Sequence, residues 1–306
     1  MRAVVVTDPN AGVAGMTLAE RPAPHAAEND VVVRTYAAGF TSGELGWPAT
    51  WTDRSGRDRT PTIPGHEVAG VVAELGYGTS GLSVGQRVFG LADWTRDGTL
   101  AEYVAVEARN LAPLAADIDF VTAASLPISG LTAWQGLIEH GRIQAGQTVF
   151  VNGVAGGVGT VVAQLARDAG AFVVGTGREP QRARAIEAGA HAFVDVDGGW
   201  SEFEGKVDLA FDVIGGEVGA RSAAMVRDGG VVITIAGPPP SRKAGVGTTF
   251  FVVEPSRPQL VDLANRVRRG SLKTFVGDVV DLDDAPTAFA GAPSASGRTI
   301  VKVREG

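Results

Sequence analysis

The sequence predicts an α/β protein of two parts, a compact β-barrel and a doubly wound parallel sheet, and three observations predict it. The first third is a series of short valine-rich runs broken by Gly, Pro and Asp. From about Asp119 helical spacing takes over, and fully apolar strands then alternate with helices, the pattern of a parallel sheet covered on both faces. One of those strands runs straight into a glycine-rich turn that opens a helix, "FVNGVAGGVGTVVAQLARDAG".

Taken in order, strands are expected at Arg2 to Val6, Asp30 to Ala37, Glu67 to Leu75, Gln86 to Leu91 and Ala101 to Val106. Turns such as "GYGTSGLSVG" suit a barrel better than helices. "DFVTAASLPISGLTAWQGLIEHG" carries apolar residues at helical spacing on both sides of Pro127 and ends at Gly141. Thr148 to Asn152 reads as a buried strand, and Thr160 to Ala169 as a helix closed by Gly170. Phe172 to Thr176 is the next strand, and Pro180 to Ala188 a helix with proline in its first turn and Gly189 after its end. Val207 to Val213 and Val231 to Ala236 are further strands, the second after the turn "RDGG". The tail holds a strand at "FFVV", a helix from Pro258 to Arg269 and more short strands. "GPPPSRKAGVG", Gly237 to Gly247, reads as a mobile loop, and there is no internal repeat.

Bulk composition removes several function classes. A length of 306 residues suggests about two domains. The 44% hydrophobic and 20% charged content is that of a soluble globular chain. A net charge of −7 and a pI near 5.2 argue against nucleic acid as a partner. The N-terminus lacks a signal-peptide pattern, and no apolar run approaches a membrane span. With no cysteine there is no disulfide and no thiolate metal site, in keeping with a cytoplasmic location.

The glycine turn carries the cofactor reading. Gly153, Gly156, Gly157 and Gly159, with Val158 among them, sit between a strand and a helix, where backbone can approach a pyrophosphate against the helix N-terminal dipole. The second strand decides which dinucleotide. An Asp or Glu at its end would bond the ribose 2′-hydroxyl of NAD. Here the end reads "VVGTGREPQRAR": Thr176 is followed by Gly177 at the acid position, then Arg178, Arg182 and Arg184. Guanidinium groups suit a 2′-phosphate, so NADPH is the expected cofactor. The alternatives are that the arginines form a solvated helix face and that Glu179 serves the ribose.

The motifs "AAGFTSGEL", "PGHEVAGVV", "VGQRVFG", "LPISGLTAWQGL", "VNGVAGGVG", "FDVIGG", "VRDGGVVITIAG" and "GRTIVKV" together resemble the medium-chain dehydrogenase/reductase superfamily, nearest its zinc-free quinone oxidoreductase branch. The resemblance implies a GroES-like catalytic β-barrel domain from residues 1–118 and 249–306, with a Rossmann domain, 119–248, inserted between. It implies NADPH:quinone or enone reductase activity on a small-molecule substrate, and a homodimer. A tailoring enoyl or ketone reductase for a bulky aromatic substrate, or a non-catalytic NADPH-binding protein, are the other readings.

In the zinc enzymes of this family the metal is held by a Cys, the His of Gly-His-Glu and a second Cys. Those positions here are Thr41, His66 and Ile128, and the proton-relaying hydroxyl residue becomes Gly43. His66 and Glu67 offer at most two ligands where catalytic zinc wants three, so no metal is expected and His66 is read as a hydrogen-bonding residue. By resemblance Thr41 lies beside the acceptor, Thr132 backs the nicotinamide ring, and Phe250, Phe251 and Val252 supply backbone to its carboxamide; the alternative for each is ordinary packing, which the two phenylalanine side chains favour. Ile214 and Ala236, after the two later strands, complete the expected cofactor contacts. Trp47 and Trp51 either wall the substrate pocket or pack the core. Glu44 becomes a proton donor only if burial raises its pKa.

Overall fold

The computed structural model describes residues 1–238, 243–291 and 297–305, so the middle of the expected Gly237–Gly247 loop lies outside the described residues. The chain divides into two compact units, one of Met1–Ile128, Pro255–Arg268 and Phe275–Gly306, the other of Ser129–Glu254 and Arg269–Thr274.

The first unit opens with Arg2–Val5 (β1), Thr17–Glu20 (β2) and Asp30–Gly39 (β3), followed by the short helix Pro48–Trp51 (α1). Glu67–Leu75 (β4), Arg87–Leu91 (β5), Tyr103–Glu107 (β6) and Leu111–Pro113 (β7) come next. Phe120–Ala124 (α2) begins where Asp119 accepts the Thr122 N–H at 2.8 Å, and Pro127–Trp134 (α3) follows. The second unit alternates Thr148–Asn152 (β8), Gly157–Asp168 (α4), Phe172–Gly177 (β9), Arg182–Glu187 (α5), Ala192–Asp195 (β10), Val207–Asp212 (β11), Gly216–Met225 (α6), Val226–Thr234 (β12) and Gly247–Phe250 (β13). Arg257–Arg268 (α7), Val276–Asp281 (β14), Ala285–Ala290 (α8) and Arg298–Lys302 (β15) end the chain.

The first unit's main sheet runs β14-β15-β3-β4-β5-β7, with β6 also on β3, and is antiparallel except for the β14–β15 pair. β3 is its spine, and its Val31 and Val33 pack with Val68, Val72, Val88 and Val104 in one apolar cluster. A second cluster joins β1, Phe40, Leu45, Ile63 and Leu100 to Leu282 and Val301 from the chain's other end. This is the GroES-like part.

The second unit is a six-stranded parallel sheet in the order β10-β9-β8-β11-β12-β13. Numbered from β8, that is the 3-2-1-4-5-6 order of a Rossmann fold, whose switch point lies between the first and fourth strands. α4 buries Val161, Val162, Leu165 and Ala166, each large side chain contributing about 1.5–3 kcal/mol, and ends at Gly170, φ +82°.

Several elements differ from the sequence expectation for physical reasons. α4 starts at Gly157 rather than Thr160, because the turn's own glycines form its first turn. The helix expected from Pro180 is a 3-10 turn, Glu179–Gln181, and then α5. "RDGG" lies inside β12 as a bulge: its pairing jumps from Val207–Val226 to Leu209–Val231. The expected strand at "FFVV" ends at Phe250, so Phe251 and Val252 lie outside the sheet. The helical run after Pro127 widens at Gln135–His140 into a π-turn, the Gly141 N–H reaching the Gly136 carbonyl at 2.9 Å.

Candidate active site

In the second unit, β8 delivers the chain to the glycine turn at the carboxyl end of the sheet. Gly153 has φ +67°, and a Cβ there would stand 2.7 Å from Val213 and 3.3 Å from Ile214. Gly159 faces the turn so closely that a Cβ would come within 2.2 Å of the Gly153 carbonyl oxygen. Gly156 caps α4, and Gly157 and Val158 open its first turn with their N–H groups at the helix N-terminus. This cradle fits a dinucleotide pyrophosphate: bulk is excluded and unpaired backbone donors are presented.

A buried polar network braces the strand ends behind the turn. Asp212 accepts from the Ile214 and Gly215 N–H groups at 3.1 and 2.9 Å, from Asn152 at 3.2 Å and from the Thr234 hydroxyl at 3.1 Å. The Thr176 hydroxyl donates to Asn152 at 3.3 Å. β8, β9, β11 and β12 are thereby tied at their carboxyl ends. Thr176 is therefore buried in this network, while Ile214 and Ala236 stand exposed beyond it. Thr132 is buried on α3.

At the end of β9, Gly177 is buried and Arg178 exposed. The Arg178 N–H donates to Gln181 at 3.0 Å. Arg182, by contrast, is engaged: its guanidinium grips Glu179 at 2.6 and 2.9 Å and lies 4.7 Å over the Phe193 ring. That grip holds the Glu179 carboxyl below its ordinary pKa. Arg184 reaches the Ala155 carbonyl at 3.4 Å. Phe250 and Val252 are exposed, whereas the Phe251 ring packs against His140 at 4.7 Å.

The first unit gathers Thr41, Glu44, Trp47 and His66. Thr41 ends the stretch after β3 and caps a 3-10 turn, Ser42–Gly46, and Glu44 reaches back to its N–H at 3.3 Å. The other Glu44 oxygen accepts the Gly65 N–H. Glu44 is fully buried, and burial raises its pKa to about 8 against the two backbone hydrogen bonds that lower it. His66, 2% exposed, lies with Nε2 3.9 Å from Glu44 Oε1. Burial, and then the nearby Arg59 guanidinium, push its pKa down to about 3.

Neither His66 ring nitrogen makes a hydrogen bond of good geometry among the described residues, although the Asp93 backbone lies close enough to favour its charged form. Of the two readings of Trp51, its surroundings fit packing. Its ring packs on the Leu45 and Ile63 cluster, and its indole N–H satisfies itself on the Leu45 carbonyl at 2.8 Å. The second indole is Trp94, which the sequence reading missed. Trp94 lies 5.3 Å from Trp47 and 4.7 Å from His66, ring to ring. It sits in the turn after β5, just past "VGQRVFG" but far along the chain from His66, so only the fold brings the two together.

The donor set does not fit a catalytic zinc. Glu67 is wholly buried and paired with Arg298, and it also accepts the Ile128 N–H at 2.9 Å. Glu44 is committed to two backbone donors, and Ile128 brings no ligand atom. No cluster of three or more His, Cys, Asp or Glu suited to a metal occurs among the described residues.

A Rossmann sheet with a glycine cradle, together with a GroES-like unit, defines a pyridine-nucleotide-dependent oxidoreductase. The chain matches the alcohol dehydrogenase GroES-like domain at residues 27–116 and the zinc-binding dehydrogenase domain at 188–303. It belongs to the medium-chain dehydrogenase/reductase superfamily and is quinone oxidoreductase-like. It is 29% identical to a probable zinc-binding oxidoreductase, mitochondrial, of Arthroderma benhamiae, covering 94% of this chain and 93% of that protein. It is 30% identical to an NADPH-dependent alkenal/one oxidoreductase, chloroplastic, of Arabidopsis thaliana, over 83% of this chain and 66% of the relative's length. The quinone oxidoreductase structure from Coxiella burnetii superposes with a TM-score of 0.88 at 23% identity, covering 99% of both chains, a likeness of fold. Among the described residues no helix is long and apolar enough to cross a membrane.

Proposed function

We propose that the chain is a zinc-independent, NADPH-dependent oxidoreductase that reduces a quinone or an α,β-unsaturated carbonyl. The observation that carries this reading is the engagement of Glu44, Glu67 and Asp93 by other partners, which leaves the imidazole without carboxylate co-ligands. Without a Lewis acid a simple ketone or alcohol is a poor substrate, while an acceptor that is already electrophilic needs only positioning and a donor for its developing oxyanion. The likeness to an alkenal/one oxidoreductase supports the same substrate class.

When bound, NADPH supplies the hydride. Gly153, Gly156, Gly157, Val158 and Gly159 hold its pyrophosphate on the α4 N-terminus. Gly177 leaves space at the ribose, and Arg178 meets the 2′-phosphate. Arg182 joins it by exchanging Glu179 for phosphate, since an exposed ion pair is readily traded. Thr132 backs the nicotinamide, Ile214 and Ala236 line its path, and the backbone of Phe250, Phe251 and Val252 meets the carboxamide. Thr41 donates a hydrogen bond to the acceptor oxygen. Glu44, protonated at neutral pH, is the proton reserve behind it.

Replacing Gly177 with Asp tests the cofactor assignment. The new Cβ would stand 2.8 Å from the end of the Gln181 side chain, which must swing away, and 3.4 Å from the Phe193 ring, an ordinary contact. The variant's kcat/KM ratio of NADPH to NADH should fall about tenfold to hundredfold, the worth of one or two charge-assisted hydrogen bonds. An unaltered ratio would contradict the 2′-phosphate reading.

A further inference from the structure

We propose that Trp47 and Trp94 form a stacking subsite that selects flat, uncharged, fused-ring acceptors over aliphatic ones; this rests on the acceptor class just proposed. The indole planes cross at 84° with centroids 5.3 Å apart, so together they make a corner of one ring face and one ring edge. The His66 imidazole closes its base, tilted 64° to Trp94 and within 19° of parallel to Trp47 at 6.4 Å. A planar ring laid along one indole turns its edge towards the other. Offset stacking and edge-to-face contact are then made at once, as the ring quadrupoles favour. An electron-poor quinone ring gains most from an electron-rich indole face, and a short aliphatic enone has no face to offer.

Three further features mark this as a binding corner rather than packing. Both indoles are only half buried, so each keeps ring surface accessible. The corner's walls are fixed from behind: Asp93 accepts the Thr95 N–H at 2.8 Å and hydroxyl at 2.5 Å and pairs with Arg54, which pins the turn carrying Trp94. The Trp47 backbone N–H is likewise held on the Glu44 carbonyl at 3.0 Å. And His66, 2% exposed, has two ring nitrogens that make no hydrogen bond of good geometry among the described residues. Buried polar atoms are ordinarily satisfied, so this imidazole has hydrogen-bonding capacity left for a ring carbonyl. Its low pKa keeps it neutral, so it adds no repelling cation beside an electron-poor ring.

The test compares wild type with Trp94→Leu, Trp47→Leu and the core control Trp51→Phe. Naphthoquinone binding is measured by titration calorimetry, and NADPH turnover with naphthoquinone and with methyl vinyl ketone. Either Leu variant should weaken naphthoquinone binding and lower the naphthoquinone-to-methyl vinyl ketone ratio of kcat/KM, each by about tenfold. Trp51→Phe should shift neither. Equal losses on both acceptors, or unchanged naphthoquinone binding in folded Leu variants, would overturn the subsite. Should a Leu variant fail to fold, Trp94→Phe keeps a smaller ring and should give a shift of the same sign, no shift counting against the proposal. If wild type turns over neither acceptor, the acceptor reading fails, and calorimetry still reads the corner by itself.

Discussion

Glu44 and His66 are two buried groups whose pKa values burial moves in opposite directions, and their effects on stability have opposite signs. Glu44 holds its proton in the folded chain up to pH about 8, while its ordinary value is 4.5. Its stabilising contribution is full below about pH 4.5 and is lost as pH rises towards 8, because the unfolded chain releases the proton first. His66 stays neutral down to about pH 3 against an ordinary 6.5. Its contribution is full above 6.5 and is lost as pH falls towards 3. Between about 4.5 and 6.5 the two slopes cancel, so these groups predict a plateau of stability there, with an alkaline limb due to Glu44. Denaturant titrations across pH should show that limb flattened in Glu44→Gln; an alkaline limb identical to wild type would remove Glu44 as its source. A second residue-scale prediction concerns the buried Arg298–Glu67 pair. Arg298→Met strands a fully buried carboxylate and should cost about 3–5 kcal/mol, read as a lower denaturation midpoint at unchanged slope. A loss within the error of wild type would mean that the pair is not a structural tie.

At the scale of elements, the π-turn at Gln135–His140 has a visible consequence. The Gln135 side chain, 5% exposed, donates to the Glu254 carbonyl at 2.7 Å and accepts its N–H at 3.0 Å, a two-point clamp on the segment that follows β13. Gly136 beside it leaves room for two rings, for a Cβ there would stand 2.5 Å from Phe211 and 3.1 Å from Phe251. Gln135→Met keeps the volume and strands both backbone groups, so it should destabilise the protein by about 1–3 kcal/mol. Thermal melts check this, and an unchanged midpoint would refute the clamp. The clamp was not legible in "AWQGL", because a π-turn shifts the face a residue presents and no periodicity announces it. β8, β9 and β11 were legible to within a residue, since a continuous apolar run bounded by turn residues has few other uses. β10 was missed because four residues, "AFVD", make too short a run to register against the helix before it.

At the scale of the molecule, alternation of apolar strands with helices indicated the parallel sheet, and the glycine turn indicated where its functional edge lies. What sequence order could not supply was convergence. Glu44 and Trp47 are local to one motif and were named from it, but Trp94 reaches His66 only through the fold, and Trp51 leaves for the core because its N–H finds Leu45. The same holds for the donors around His66: Glu67 reads from sequence as a potential second ligand, but Arg298, from the far end of the chain, occupies it. The central claim is hydride transfer without zinc, and its most direct measurement is nicotinamide oxidation by chelator-treated protein with quinones and enones, NADH beside NADPH. Turnover should favour NADPH, survive chelation and not rise with added zinc. Activity that vanished with the chelator and returned with zinc would contradict it.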